Sequence, residues 1–215
     1  MLFRQSRLVK NVYQGSSSLV ARVFLLKPVY TSVQQIVEEI ETRGGFVTQP
    51  TVSKALKQLE EDVIIWRDKN EIKLVQPDKL LDRLVANYKR PHVLSELSFK
   101  FESDFEQIPN QIFFTVKQAK AKIVLGGAVS VNEYATMARE KQYIFYCNKD
   151  SEAIIKMLGK PIAINSRFPN VTLIETEDPT VYFDMRIRNQ NSIASPIQVY
   201  LELMSGDKRE KETAQ

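Results

Sequence analysis

The chain has 215 residues, 43% apolar and 26% charged, the balance of a globular protein with one large or two small domains. Its single cysteine, Cys147, excludes an internal disulfide framework and a cysteine-based zinc cluster, and no apolar run reaches the ~18–20 residues that cross a bilayer. The net charge of +4 is uneven: residues 1–90 hold 15 Lys and Arg against 10 Asp and Glu, whereas residues 91–215 hold 15 against 16, an asymmetry that suits a nucleic-acid-facing first half.

In chain order, the opening MLFRQSRLVKNVYQGSSS is basic but lacks the apolar core and small-residue cleavage site of a signal peptide, so a cytoplasmic address is expected. The polar cluster Gly15–Ser18 reads as a helix start, followed by Leu19, Val20, Val23, Phe24 and Leu26 at helical spacing, with Pro28 as the stop. Thr31 or Ser32 caps a second helix with Val33, Ile36, Val37 and Ile40 on one stripe, ended by Gly44–Gly45. A third helix begins at Thr48, an N-cap residue type, with Pro50 in the first turn, where its missing N–H costs nothing. In it Val52, Leu56 and Leu59 share one side with Ala55, while Pro50, Lys54, Lys57 and Glu61 fall nearly opposite.

Two short β-prone runs in VIIWRDKNEIKLV enclose Asp68-Lys69-Asn70 as a hairpin. A fourth helix over QPDKLLDRLVANYKR has Asp78 at its start and Lys89–Arg90 at its end, both matched to the helix dipole. Pro91 then breaks the pattern, and RPHVLSE reads as a domain boundary. Beyond it SFKFE and QIFFTV fit either strand or helix. The stretch from Gln118 to Ala138 reads as strand, Gly-Gly turn and helix; QYIFYCN as strand; SEAIIKMLG as helix; NVTLIETE and TVYFDMRIR as strands; and SPIQVYLELM as a helix opened by Ser195–Pro196. The tail SGDKREKETAQ is highly charged.

Three helices and a hairpin within the first 75 or so residues is the order of a winged helix-turn-helix, whose third helix enters the major groove. Such a helix needs small or amide side chains early, to reach base edges, and cations to meet phosphate. Gln49, Thr51, Ser53, Lys54 and Lys57 answer that need on the helix, and Arg67, Lys69 and Lys73 on the wing; Arg4, Arg7 and Lys10 make a basic arm. The competing reading makes Lys54 and Lys57 a solvated face and Gln49 a turn residue. Glu60, Glu61 and Asp62 oppose DNA binding, since they repel phosphate and sit at the dipole's negative end.

Other chemistries find little support. His92 is the sole histidine and sits in the boundary segment, so neither a multi-histidine metal site nor a Ser–His–Asp triad is assembled. Gly126–Gly127 lacks both the dinucleotide-binding glycine spacing and the Gly-Lys-Ser/Thr of a P-loop, and reads as a tight turn. Glu175, Asp178 and Asp184 read as acidic loop residues rather than a metal site. No catalytic residue, metal or cofactor is expected, and Cys147 is expected to be a buried small apolar residue.

TQPTVSKALKQLEEDVII resembles the third helix of many bacterial winged-helix regulators, in which Q-P-T-V-S-x-x-L-x-x-L-E recurs; it departs from them at Asp62, where a helix-ending glycine is usual. The last third resembles the C-terminal motif of the regulator/antitoxin proteins of the AbiE (abortive infection, type IV toxin–antitoxin) group. Ser195, Pro196, Gln198, Tyr200 and Leu203 follow the family's S-P-x-Q-x-Y-x-D-L, with Leu201 at its open position and Glu202 in place of Asp, and DKREKETA replaces a glycine-flanked form. IVLGGAVSVNEYA looks like the family's T-G-x-x-A-A turn, with Gly127 as its glycine and Gly126 for its threonine, and PDKLLDRLVANY is similar to the helix after the wing. The resemblance implies a DNA-binding regulator, typically an autorepressor, which in antitoxin members opposes a nucleotidyltransferase toxin without a stable complex.

The expected architecture is therefore α+β: a winged helix-turn-helix over residues 1–90, then a mixed α/β domain over 91–215 with a regulatory or antitoxin role. The expected partner is double-stranded operator DNA carrying an inverted repeat, bound by a homodimer or by cooperating monomers, with a functional link to a nucleotidyltransferase-like toxin and no membrane. The alternatives are a winged-helix protein-interaction scaffold and a nucleotide-handling enzyme using the second domain.

Overall fold

The computed structural model describes residues 11–134, 142–158, 162–164 and 166–214. The chain divides into two compact units, one formed by Met1–Glu41 and Phe46–Asn87, the other by Thr42–Gly45 and Tyr88–Gln215. Both combine helices with strands, so the class is α+β.

In the first unit, a 3₁₀ turn at Gly15–Ser17 leads into α1 (Ser18–Leu26), and β1 (Val29–Tyr30) follows Pro28. Helix α2 (Val33–Thr42) starts on a reciprocal cap: the Ser32 hydroxyl accepts from the Gln35 N–H, and Gln35 Oε1 accepts from the Thr31 N–H. Gly44, at φ +79°, supplies the left-handed residue that stops this helix. Helix α3 (Gln49–Glu61) then leads to the hairpin of β2 (Ile65–Arg67) and β3 (Ile72–Leu74), whose turn is held by Asp68 Oδ1 accepting from the N–H groups of Asn70 and Glu71.

The sheet has a strand that periodicity does not announce. β1 pairs antiparallel with β3, giving the order β1-β3-β2. Two residues between Pro28 and a helix cap are too few to show alternation. Helix α4 (Pro77–Asn87) closes the unit, and it ends before Lys89 and Arg90: the Asn87 amide donates back to the Arg83 carbonyl, so the expected dipole pairing of those two cations is not made. The core of this unit joins Leu19, Val23 and Phe24 of α1 to Ile36 and Ile40 of α2, Val52, Leu56 and Leu59 of α3, and Leu80 and Leu84 of α4, all buried. Tyr30 is fully buried edge-on to Phe24, and its hydroxyl reaches the Val23 carbonyl.

The second unit is built on a seven-stranded mixed sheet in the order β7-β4-β8-β6-β5-β10-β9. Its strands are β4 (Ser95–Phe101), β5 (Ile123–Gly126), β6 (Tyr143–Cys147), β7 (Ile162–Ile164), β8 (Val171–Glu175), β9 (Arg186–Arg188) and β10 (Asn191–Ile193). Pairs β6/β8 and β5/β10 are parallel and the others antiparallel. One face packs Phe99, Leu125, Phe145 and Leu173 against α5 (Ile108–Gln118) and α6 (Ser151–Met157). The other packs Val124 and Tyr146 against α7 (Pro179–Tyr182) and α8 (Pro196–Ser205). Covering both faces explains why IVLG and YIFYC read as continuous apolar runs. Cys147 is fully buried here, and burial pushes its thiol up to about 11, as befits a packing residue.

Several segments differ from expectation. SFKFE is strand and QIFFTV helix. TVYFDMRIR is not one strand: Pro179 opens α7, capped by Asp178 accepting from the Thr180 N–H, and Asp184 turns the chain at φ +54° before β9. After Gly127 the chain forms a 3₁₀ helix over Ala128–Glu133, and the rest of the expected helix, residues 135–138, lies outside the described residues. The charged tail forms α9 (Lys208–Ala214).

The buried stripe of α3 yields a first expectation. Leu56 is fully buried, so Leu56→Ala should cost about 2–5 kcal/mol, read as a lowered urea midpoint of the full chain. An unchanged midpoint would mean that α3 does not pack as described.

Candidate functional site

Helix α3 separates its two faces cleanly. Val52, Ala55, Leu56 and Leu59 are buried, while Gln49, Pro50, Ser53, Lys54, Lys57, Glu60 and Glu61 are exposed; Thr51 is half-buried. Thr48 occupies the N-cap position, but its hydroxyl pairs with that of Thr51 at 3.0 Å rather than with a backbone N–H, and its carbonyl takes the Thr51 and Val52 N–H groups. The first helical residue, Gln49, donates from Nε2 to Gln34 Oε1 at 2.6 Å, which joins the start of α3 to the first turn of α2. Lys57 leans along the helix toward Glu61 at 3.8 Å, an exposed pair of little energetic weight.

The hairpin presents its cations unequally. Lys73 lies opposite Trp66 on one side and Val29 on the other, so these three share a cross-strand row. Arg67 lies opposite Ile72 in the neighbouring row, and Lys69 occupies the turn. Arg67, Lys69 and Lys73 are all exposed, and Trp66 is 49% exposed. Trp66 was not singled out from the sequence, although the only tryptophan of the chain on a solvent-facing hairpin is a usable signal. The arm residues Arg4, Arg7 and Lys10 lie outside the described residues.

The acidic end of α3 acquires a structural account. The Tyr13 hydroxyl donates to Asp62 Oδ2, Gln58 Nε2 donates to Asp62 Oδ1, and Lys79 Nζ caps the Asp62 carbonyl. Burial, reinforced by the bond to Asp62, pushes the Tyr13 hydroxyl well above its usual pKa. Asp62 therefore ties the C-terminal end of α3 to the segment before α1 and to α4, and the exit that other regulators make with glycine is made here through Val63 at φ +59°.

In the second unit the motif residues converge on the turn after β5. Ser195 caps α8 by accepting from the Gln198 N–H. Glu202 accepts from the Gly127 N–H at 2.7 Å, from Gln198 Nε2 at 2.8 Å and from the Tyr146 hydroxyl. Fully buried Gln198 also donates to the Tyr88 hydroxyl. Burial, with the Glu202 carboxylate beside it, raises the Tyr146 hydroxyl far above its ordinary value. Gly126 is needed for the close approach of the Tyr146 ring, since a Cβ there would fall 2.5 Å from a ring carbon. Gly127 has φ +66°. The Gly-Gly pair thus serves a tight turn locked by a carboxylate, not a phosphate loop. Among the described residues no His, Cys, Asp and Glu grouping could hold a metal. Asp178 caps α7, Glu175 accepts from the Ser151 N–H, and Asp184 pairs with Arg186. His92 is exposed.

Residues 73–215 match the family model described as transcriptional regulators, AbiEi antitoxins of type IV toxin–antitoxin systems. The chain belongs to this family. The match begins within β3 and takes in α4 and the second unit from Tyr88 onward, so it contains the Gly126–Gly127 turn and the Ser195–Glu202 motif, while α1, α2 and α3 precede it. No curated protein and no solved structure matches the chain. No helix among the described residues is long and apolar enough to cross a membrane.

The carboxylate of Glu202 receives donors only. Glu202→Gln puts an NH₂ group where a donor already points and should destabilise the chain by about 1–3 kcal/mol in urea titration; a variant as stable as the parent contradicts this reading of the motif.

Proposed function

We propose that the first unit is a winged helix-turn-helix that binds double-stranded DNA, and that this member of the AbiEi family represses transcription from its own operator. The carrying observation is the division of α3 into a sealed apolar face and an exposed face bearing Gln49, Ser53, Lys54 and Lys57, with an exposed hairpin carrying Arg67, Lys69 and Lys73 next in the chain. The α3 face enters the major groove, its early amide and hydroxyl groups meeting base edges and its lysines meeting phosphate. The hairpin contacts the flanking backbone, and the basic arm of Arg4, Arg7 and Lys10 adds charge. Asp62 is withdrawn from this surface by its bonds to Tyr13 and Gln58, which removes part of the repulsion noted from sequence.

One such module covers too little DNA for high specificity, so two chains bind an inverted repeat as a dimer or as cooperating monomers. Membership of a regulator and antitoxin family supports the pairing of this chain with a toxin of nucleotidyltransferase type, and residues 91–215 as the part that carries antitoxicity.

Trp66 supplies a built-in reporter, because no other tryptophan contributes to the fluorescence. DNA from upstream of the gene should quench or shift Trp66 emission saturably. Lys54→Ala with Lys57→Ala should weaken that binding at least tenfold while the melting temperature stays within a few degrees of the parent. If the double variant binds as tightly as the parent, α3 is not the reader.

A further inference from the structure

The hydrogen bond between Gln49 and Gln34 belongs to a directed chain. Glu38, one turn further along α2, accepts from Gln34 Nε2 at 3.0 Å. A carboxylate can only accept, so it turns the Gln34 amide with its NH₂ toward Glu38 and its oxygen toward Gln49. That oxygen likewise can only accept, and so it takes Gln49 Nε2 at 2.6 Å. Among the described residues, Gln49 makes no other side-chain hydrogen bond. Its Oε1 and the second N–H of Nε2 make no side-chain hydrogen bond among the described residues, and Gln49 is the exposed first residue of α3.

We infer that Gln34 is a positioning residue and that the pair specifies adenine at one base pair of each half-site. This rests on the DNA-reading role proposed for α3. An adenine shows an N6 amino donor beside an N7 acceptor in the major groove, which the Gln49 amide complements with Oε1 and the remaining N–H. A guanine shows two acceptors there, N7 and O6, and would set O6 against Oε1. A free glutamine samples both amide orientations and several rotamers, and the Glu38–Gln34 chain removes that freedom before DNA arrives. Gln34 therefore contributes to specificity without itself touching a base.

The test is selection of a randomised duplex library by the full-length protein, followed by affinity measurement on the preferred duplex and its single-base-pair variants. The parent should prefer A·T at one position per half-site by about tenfold or more over G·C. Gln49→Ala and Gln34→Ala should each flatten that position alone. The double variant should lose no more than Gln49→Ala does, because the two side chains act as one unit. Gln34→Glu keeps an oxygen toward Gln49; combined with Glu38→Gln, which removes the repulsion and restores a donor, it should recover the preference. Retention of the full A·T preference by Gln34→Ala, or its loss at positions that Gln49→Ala leaves intact, overturns the positioning role while leaving DNA reading by α3 in place. A parent protein that selects no sequence at all overturns both.

Discussion

Val52, Ala55, Leu56 and Leu59 are sealed from water, and their burial fixes the rotation of α3 about its own axis. Most of what is distinctive about the first unit depends on that one constraint. At 100° per residue, burying this stripe leaves Gln49, Ser53, Lys54 and Lys57 in solvent with no freedom to trade places with the core. The fixed face then lets smaller interactions matter. A hydrogen bond from Gln49 to Gln34 has meaning only because both helices are held by their apolar sides. The same holds at the other end, where Tyr13, Gln58 and Lys79 gather around Asp62 and turn a like-charge hazard for DNA into a joint of the unit.

The second unit uses a different device. Its sheet is apolar on both faces, and the family motif supplies a polar clamp within it: Glu202 gathers the Gly127 N–H, Gln198 and the Tyr146 hydroxyl. A carboxylate surrounded by donors is favourable only when all of them are present, so Gln198, Glu202 and the glycine pair stand or fall together. Glu202 in place of the family's shorter Asp is compatible with this role, because it reaches the turn.

Long periodic segments were legible from sequence, and short or context-dependent ones were not. The stripes of α1, α2 and α3, the Asp68–Asn70 turn, the buried Cys147 and the Ser195 cap of α8 all follow from spacing and cap chemistry. Strand β1 escaped because its two residues take their form from pairing with β3. TVYFDMRIR escaped because β-prone residues were overridden by Asp178 and Pro179 opening a helical turn. α4 stops short of Lys89 and Arg90, an end that composition did not mark. At the candidate interface, exposed polar residues of α3 can be listed from periodicity, but the partnership of Gln49 with Gln34, 15 residues away, needs the two helices placed side by side. The Asp62 cluster is likewise a meeting of three segments distant in sequence.

If α3 and the hairpin hold DNA by neutralising phosphate, as proposed, binding must weaken as salt rises. For the full-length protein and the DNA upstream of its gene, the logarithm of the association constant should fall linearly with the logarithm of salt concentration, at about 0.9 per phosphate contacted. A slope corresponding to several contacts, reduced when Lys54 and Lys57 are removed, is the predicted result. An affinity that is flat in salt, or the same for upstream and unrelated DNA, rules out sequence-specific DNA binding by α3 and the hairpin.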